Sequence, residues 1–151
     1  MCWFLVPPPQ EVKTDGDVLK PLPPELKDVK IKNSKEDLLH QACTKHSKDI
    51  QKCVNIMTGV FIADSSWCTK GAGAKNNNCG NIRPGSGKYG DSDVEWKAIN
   101  NWRVYTTLED GIYDNVAIYA QLYEGKSLDY MRRVWAGGSY NWSKIVSYYY
   151  Y

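Results

Sequence analysis

Residues 47–64 read SKDIQKCVNIMTGVFIAD, and the spacing of their apolar side chains decides the fold. Ser47 is expected to cap a helix here, with Asp49 in the first turn, where the helix dipole favours a negative charge. The apolar side chains then advance by four, three and four positions along one helix face, as Ile50, Val54, Met57 and Phe61, with Cys53, Ile56 and Val60 beside them. We therefore predict a central helix.

An acidic residue, Asp64, lies on the same face, three positions after Phe61. A carboxyl group half buried at a helix C-terminus is desolvated and faces the negative end of the helix dipole, and both effects disfavour ionisation. We expect a raised pKa for Asp64, which a general acid at neutral pH requires. Two other interpretations stay open: a buried Asp that accepts hydrogen bonds from loop amides, and a helix-terminal acid that simply reaches solvent.

The composition is typical of a globular protein, with 42% hydrophobic and 24% charged residues. A length of 151 residues suits one domain with some additional chain. The net charge of +2 is too mild to indicate nucleic-acid binding, and the lysines are scattered along the chain. Eleven Tyr and six Trp accompany only two Phe. Tyr and Trp side chains suit stacking on sugar rings as well as core filling.

The start of the chain differs from the rest in its proline content. Six of the seven prolines lie in the first 24 residues. We expect residues 1–33 to form an extended arm or linker and residues 34–151 to form the folded domain. The first ten residues lack the pattern of a secretion signal, and no stretch has the ~18 apolar residues of a membrane span.

The folded domain is predicted to be α+β and mostly helical. Ser34, Thr107 and Ser127 are favoured N-cap residues, and Asp37 and Asp110 complete capping patterns after the first two. A last helix is expected in NWSKIVSYY, near the end of the chain.

Two other segments connect these helices. Residues 68–90 are rich in Gly and Asn and predict a wide loop without helix. Residues 91–107 alternate weakly and carry aromatic side chains, which indicates a small β-hairpin. Gly125 is expected to end the helix that Thr107 begins.

Five cysteines leave the redox state open. Cys43 and Cys53 flank the connection between two predicted helices, Cys68 and Cys79 flank the Gly-rich loop, and Cys2 is left over. Two local disulfides with one free thiol fit this spacing, and so do five reduced thiols. A metal site formed by Cys43, His46 and Cys53 is a third interpretation, although structural zinc requires a fourth ligand.

Four sequence motifs, in order, resemble one family. IADSSW, NNCGNIRP, WRVYTTLEDGIYDNVAIY and WAGGSYNWSKIVSYY together resemble the glucosaminidase branch of the lysozyme-like superfamily and its relatives in bacteriophage particles. The resemblance covers about residues 47–151. It implies a lysozyme-like helical domain that cleaves the β-1,4-linked glycan strands of peptidoglycan, with no metal and no cofactor.

The resemblance and the predicted elements together suggest site residues. Asp64 matches the position of the family's catalytic acid. Glycoside cleavage commonly uses a second carboxylate, and Glu95 on the predicted hairpin is the better candidate, ahead of Asp91 and Asp93. The expected substrate-binding residues are Trp67, Asn77, Asn78, Asn81 and Tyr105, and Arg83 is a candidate for contact with a lactyl or peptide carboxylate.

The sequence departs from the family at the acid itself, because the family pattern has Glu where this chain has Asp64. The shorter side chain withdraws the carboxyl group by roughly 1 Å, a displacement that can cost about a hundredfold in rate. Three interpretations follow: an enzyme adapted to Asp, an enzyme substituted at its acid, and a non-catalytic wall-binding or virion module that docks through its proline-rich arm.

The resemblance also favours an oxidised chain. Peptidoglycan lies outside the cytoplasm, where disulfides persist. We therefore expect a Cys68–Cys79 disulfide that joins the site loop to the end of the central helix. The expected location is extracytoplasmic, in the cell wall, the periplasm or a virion.

Overall fold

The computed structural model describes residues 34–150, which belong to one compact unit. The predicted arm over residues 1–33 and the leftover Cys2 lie outside the described residues. The described part of the chain is mostly helical with one two-stranded antiparallel sheet, as predicted. Its elements are α1 (Lys35–His46), α2 (Ile50–Ser65), α3 (Gly71–Lys75), β1 (Lys97–Ile99), β2 (Trp102–Val104), α4 (Leu108–Leu122), α5 (Leu128–Val134) and α6 (Tyr140–Tyr150).

Three predicted N-caps are confirmed. Ser34 accepts a hydrogen bond from the Asp37 backbone, and the Asp37 carboxylate accepts one from Ser34 N–H, so the capping box is complete. Thr107 caps α4 and Ser127 caps α5 through their hydroxyl oxygens. Each cap satisfies a backbone N–H that the first helical turn leaves unpaired. The helix that Thr107 begins ends at Leu122, slightly before the expected Gly125.

The predicted cap at Ser47 is wrong, because Asp49 caps α2 with a carboxylate oxygen 3.1 Å from Lys52 N. The Ser47 hydroxyl instead donates to Glu124, which also accepts from Lys48 N at 3.1 Å. Glu124 lies just after α4, so this contact joins the α1–α2 connection to the far end of α4.

Helix α2 lies at the centre, packed against α1 and α6, as its apolar stripe predicts. A side-chain Cβ at Gly59 would lie 3.0 Å from the Tyr149 ring, so glycine permits the close approach of α2 and α6. Ile50, which was expected on the buried face, is 37% exposed, because it lies in the first turn of α2.

Both local disulfides are present. Cys43–Cys53 joins α1 to α2, with an S–S distance of 2.10 Å, and Cys68–Cys79 joins the end of α2 to the site loop, at 2.09 Å. The prediction of a Cys68–Cys79 bridge is confirmed. These bonds rule out the reduced interpretation for the four described cysteines, and also the metal site with Cys43 and Cys53.

The loop and hairpin are only partly as predicted. The Gly-rich loop contains the short helix α3, which the sequence analysis excluded. The hairpin pairs Lys97 with Val104 and turns through Asn100 and Asn101, both with positive φ. Asn tolerates this left-handed backbone better than most residues. No helix in residues 34–150 is long and apolar enough to cross a membrane.

Candidate active site

The candidate site is centred on Asp64, in the last turn of α2. Its side chain is half buried, and carboxyl oxygen Oδ2 accepts a hydrogen bond of 3.0 Å from the indole Nε1 of Trp135. The same N–H also donates to the Gly80 carbonyl at 3.2 Å. Trp135 follows α5 directly, so the acid lies where the ends of α2 and α5 meet.

Burial raises the pKa of Asp64 to about 7, well above its ordinary value of 3.8. Desolvation is the largest cause, and the indoles of Trp135 and Trp142 partly oppose it because they favour the ionised form. Trp142 Nε1 is buried and lies close to the acid, but it does not form a hydrogen bond with the carboxyl group. The expectation of a carboxyl group that stays protonated to near neutral pH therefore agrees with this environment.

An unusual backbone turn holds the helix end. Ser66, Trp67 and Cys68 all have positive φ, of 50°, 58° and 64°. Such a conformation costs a non-glycine residue roughly 1 to 2 kcal/mol. The surroundings stabilise it: the Ser65 hydroxyl donates to Cys79 O at 2.8 Å and accepts from Cys68 N at 2.8 Å, and the Cys68–Cys79 disulfide joins the same two segments.

The three asparagines expected to bind substrate shape the site loop. Asn81 donates to the backbone carbonyl of Asp64 at 2.8 Å, so it positions the end of α2. Asn78 is buried, and its amide pairs with backbone groups of Ile82 and Arg103. Asn77 donates to Tyr105 O at 3.1 Å. Of the three side chains, only that of Asn81 lines a cleft near the acid.

The Trp135 indole explains why position 80 in the same loop is a glycine. A Cβ at this position would lie 2.8 Å from the Trp135 ring and 2.6 Å from Asn115 Oδ1. Both distances are too short for a real side chain. Glycine at position 80 therefore permits Trp135 to reach Asp64.

The indole that donates to Asp64 belongs to Trp135. Trp67, an expected substrate contact, packs against Phe61, with ring centroids 5.0 Å apart, and lies under the Lys35 ammonium at 5.0 Å. Trp135 was not among the predicted site residues and lies 71 residues after Asp64. Its signal was the motif WAGGSYNW, where a Trp follows a predicted helix and precedes two glycines.

Tyr105, the other expected substrate contact, lies in the core with 3% of its surface exposed. Its hydroxyl donates to the carboxylate of Asp114, which also accepts from Arg103 at 2.9 Å and from Asp91 N at 2.7 Å. Arg103 and Asp114 are both buried, so they form an ion pair inside the molecule. In this structure Tyr105 connects β2 to α4 and does not face the surface.

The candidates for a second carboxylate lie around the hairpin. Glu95 is exposed and forms no ion pair within residues 34–150. Asp91 accepts hydrogen bonds from Lys45 and His46, and Asp93 forms an ion pair with Lys45 at 2.9 Å. No carboxylate contributes to the pKa shift of Asp64. The role of Glu95 stays a prediction.

Two clefts lie near the acid. The first, of about 210 Å³, is lined by the loop around residues 81–86, the end of α4 and Trp135, and not by Asp64 itself. The second lies between α2 and the start of α6, where Asp64, Ser139 and Trp142 line it. Trp135 lines the first cleft and donates a hydrogen bond to Asp64, which lines the second, so this indole is the contact between the first cleft and the acid.

No group of three or more metal-ligating His, Cys, Asp or Glu side chains occurs in residues 34–150. No protein-family model matches the chain, and no curated protein or solved structure is similar enough to match it. The function is therefore inferred from the geometry of the site.

Proposed function

We propose that this protein cleaves the glycan strands of peptidoglycan, with Asp64 as the general acid. The observation that carries the proposal is a half-buried carboxyl group that lines a cleft, is hydrogen-bonded to Trp135 and has a pKa raised to about 7. An acid with such a pKa is protonated often enough at neutral pH to donate and is acidic enough to give up its proton. The sequence resemblance to lysozyme-like glucosaminidases supplies the substrate class.

The chemistry follows from the groups around Asp64. Its carboxyl proton moves to the glycosidic oxygen, the bond between that oxygen and the anomeric carbon breaks, and positive charge develops on the sugar ring. Asp64 is then a carboxylate until water or a hydroxyl group of the same sugar bonds to the anomeric carbon and gives up a proton that returns to it. The carboxylate that remains accepts the Trp135 N–H at 3.0 Å, and the Trp142 N–H lies close enough to favour it. The Trp135 N–H donor therefore stabilises the negative charge as it forms, and the nearby Trp142 indole also favours it.

The clefts suit a saccharide because they combine apolar surfaces with polar groups. Tyr89, Val134 and Trp135 give the first cleft flat or apolar walls, and Tyr89 and Val134 are 39% and 53% exposed. Aromatic faces stack on sugar rings while hydroxyl and amide groups bond their edges. The two disulfides are typical of proteins in oxidising compartments, which agrees with a substrate outside the cytoplasm.

The test is a digest of purified cell walls. We expect the wild-type protein to release new reducing ends or anhydro-sugar ends, identified by mass analysis of the fragments. Asp64→Asn should lower the rate by at least about a hundredfold, because it removes the proton donor. Glu36→Gln is a matched control, since Glu36 is an exposed acid in the first turn of α1.

The same digest separates the enzyme from a non-catalytic module. The Asp in place of the family's Glu favours such a module, because the carboxyl group is shorter by one methylene. Wild-type protein that sediments with walls but releases no new ends would identify a wall-binding or virion module. Asp64→Glu should raise the rate if the shorter side chain limits proton transfer, and should leave wall binding unchanged.

A further inference from the structure

The first cleft, which Trp135 lines, has a positively charged lining. Two arginines, Arg83 and Arg103, line it, and none of its described lining residues is Asp or Glu. Arg103 is already neutralised, because it pairs with Asp114 at 2.9 Å and both side chains are buried. Arg83 is therefore the charged lining residue without an acidic partner among residues 34–150.

Arg83 is held in place without an acidic partner. Its guanidinium lies 4.0 Å from the centroid of the Trp102 ring, and Nη1 donates to Asn101 O at 3.3 Å. It forms no ion pair with any of residues 34–150. A guanidinium carries five N–H donors in a rigid fork that fits a carboxylate. Stacking on Trp102 orients this fork and leaves most of its donors for a ligand.

We propose that Arg83 determines substrate specificity by binding a carboxylate on the glycan strand. The ligand class is an acidic, peptide-bearing saccharide, whose stem carries a free carboxylate, and not a neutral polymer of N-acetylglucosamine. This assignment rests on the proposed function, since it places the glycan in the first cleft, whose lining residue Trp135 donates a hydrogen bond to Asp64. Arg83 acts here as a binding residue and takes no part in proton transfer.

The experiment measures binding and not turnover. The probes are N-acetylmuramoyl dipeptide with a free carboxyl group and the same compound with that group amidated, titrated into the Asp64→Asn protein by calorimetry or NMR. We expect the acid to bind about tenfold more tightly than the amide, because a charge-assisted hydrogen bond replaces a neutral one. The preference should weaken with added salt.

Two variants identify the residue responsible. In the Asp64→Asn background, Arg83→Gln should remove the preference for the acid, and Arg83→Lys should restore part of it. Lys75→Gln is the matched control, because Lys75 is an exposed cation that lines neither cleft at the acid, and it should keep the full preference. Far-UV circular dichroism checks that each variant is folded.

The outcomes separate this assignment from the proposed function. Equal binding of acid and amide, no binding of either, or a preference that survives Arg83→Gln overturns the assignment of Arg83. A wall digest without new glycan ends overturns the proposed cleavage but leaves the binding result unaffected, because the binding protein already lacks the catalytic acid.

Discussion

At the scale of the residue, the surroundings of Asp64 suit the shorter carboxylic acid at a position where the resembled family has Glu. The shorter side chain keeps the carboxyl group beside α2, where desolvation raises its pKa to about 7. Trp135 reaches this withdrawn group from α5, with an N–H 3.0 Å from the carboxyl oxygen. The Trp135 N–H therefore reaches the carboxyl group of the shorter side chain.

A raised pKa has a consequence for stability, because the folded protein keeps a proton that the unfolded chain releases. Stability should fall as the pH rises from about 4 to about 7, by roughly 4 kcal/mol in total. Asp64→Asn removes this pH-dependent loss of stability, because Asn does not ionise. We expect the variant to match the wild type near pH 4 and to be more stable near pH 8, as measured by urea unfolding. A variant less stable than the wild type at both values would indicate a structural role for the carboxylate.

The Trp135 indole should limit how far the pKa of Asp64 is raised. Trp135→Phe keeps an aromatic ring against Tyr123, whose centroid lies 5.1 Å away, but removes the N–H donor. Because the ionised form loses its hydrogen bond, the pKa of Asp64 should rise further, by about one unit. The pH profile of glycan cleavage measures this shift. Trp96→Phe, which changes a ring stacked on Arg103, should leave the profile unchanged.

At the scale of the element, the end of α2 depends on segments distant in sequence. Three consecutive left-handed residues follow the helix, and the site loop holds them through Ser65, Asn81 and the Cys68–Cys79 disulfide. Strained backbone of this kind persists only where its surroundings fix it. The loop therefore supports the conformation that presents Asp64.

The two disulfides allow a matched comparison, since they close loops of nearly equal length, with sequence separations of 10 and 11. Replacing either pair by Ala should lower the free energy of unfolding by roughly 3 kcal/mol, measured by urea unfolding. Only loss of Cys68–Cys79 should also abolish cleavage by protein that is still folded. Equal residual activity in both variants would show that the site loop does not depend on its disulfide.

Element boundaries were predictable where the signal is local. The caps at Ser34, Thr107 and Ser127 depend on residues within three positions, so the sequence pattern was sufficient. Ser47 was assigned wrongly because its hydroxyl bonds Glu124, which is 77 residues away. Helix α3 was missed because its sequence, GAGAK, has the glycine content of a loop.

At the scale of the whole molecule, Asp114 connects three parts of the chain. It accepts hydrogen bonds from Arg103 and Tyr105 on the hairpin side and from the backbone of Asp91. Asp114→Ala leaves the Arg103 charge buried without its partner and should cost about 3 to 5 kcal/mol. Thermal or urea unfolding measures the loss. Glu109→Ala, an exposed position on the same helix, should cost less than about 1 kcal/mol; an equal cost would contradict a connecting role for Asp114.

The mostly helical architecture could be predicted from the periodicity of α2 and the composition of the segments around it. The contacts of the candidate site could be predicted only in part. The half-buried position of Asp64 was predictable because it continues the buried stripe of its own helix. The contact of Trp135 with Asp64 and the burial of Tyr105, which was expected to contact substrate, were not predictable because they depend on how α5 and β2 pack against distant segments. A single sequence records spacing along one element and does not record which side chains meet between elements.

The most direct test of the central claim is a carbon-13 NMR titration of the Asp64 side-chain carboxyl carbon, assigned by its loss in Asp64→Asn. A midpoint near pH 7 is the result that the structure predicts, because the carboxyl group is desolvated and bonded to Trp135. A midpoint near the ordinary value of 3.8 would show a solvated carboxylate and would contradict its role as the general acid.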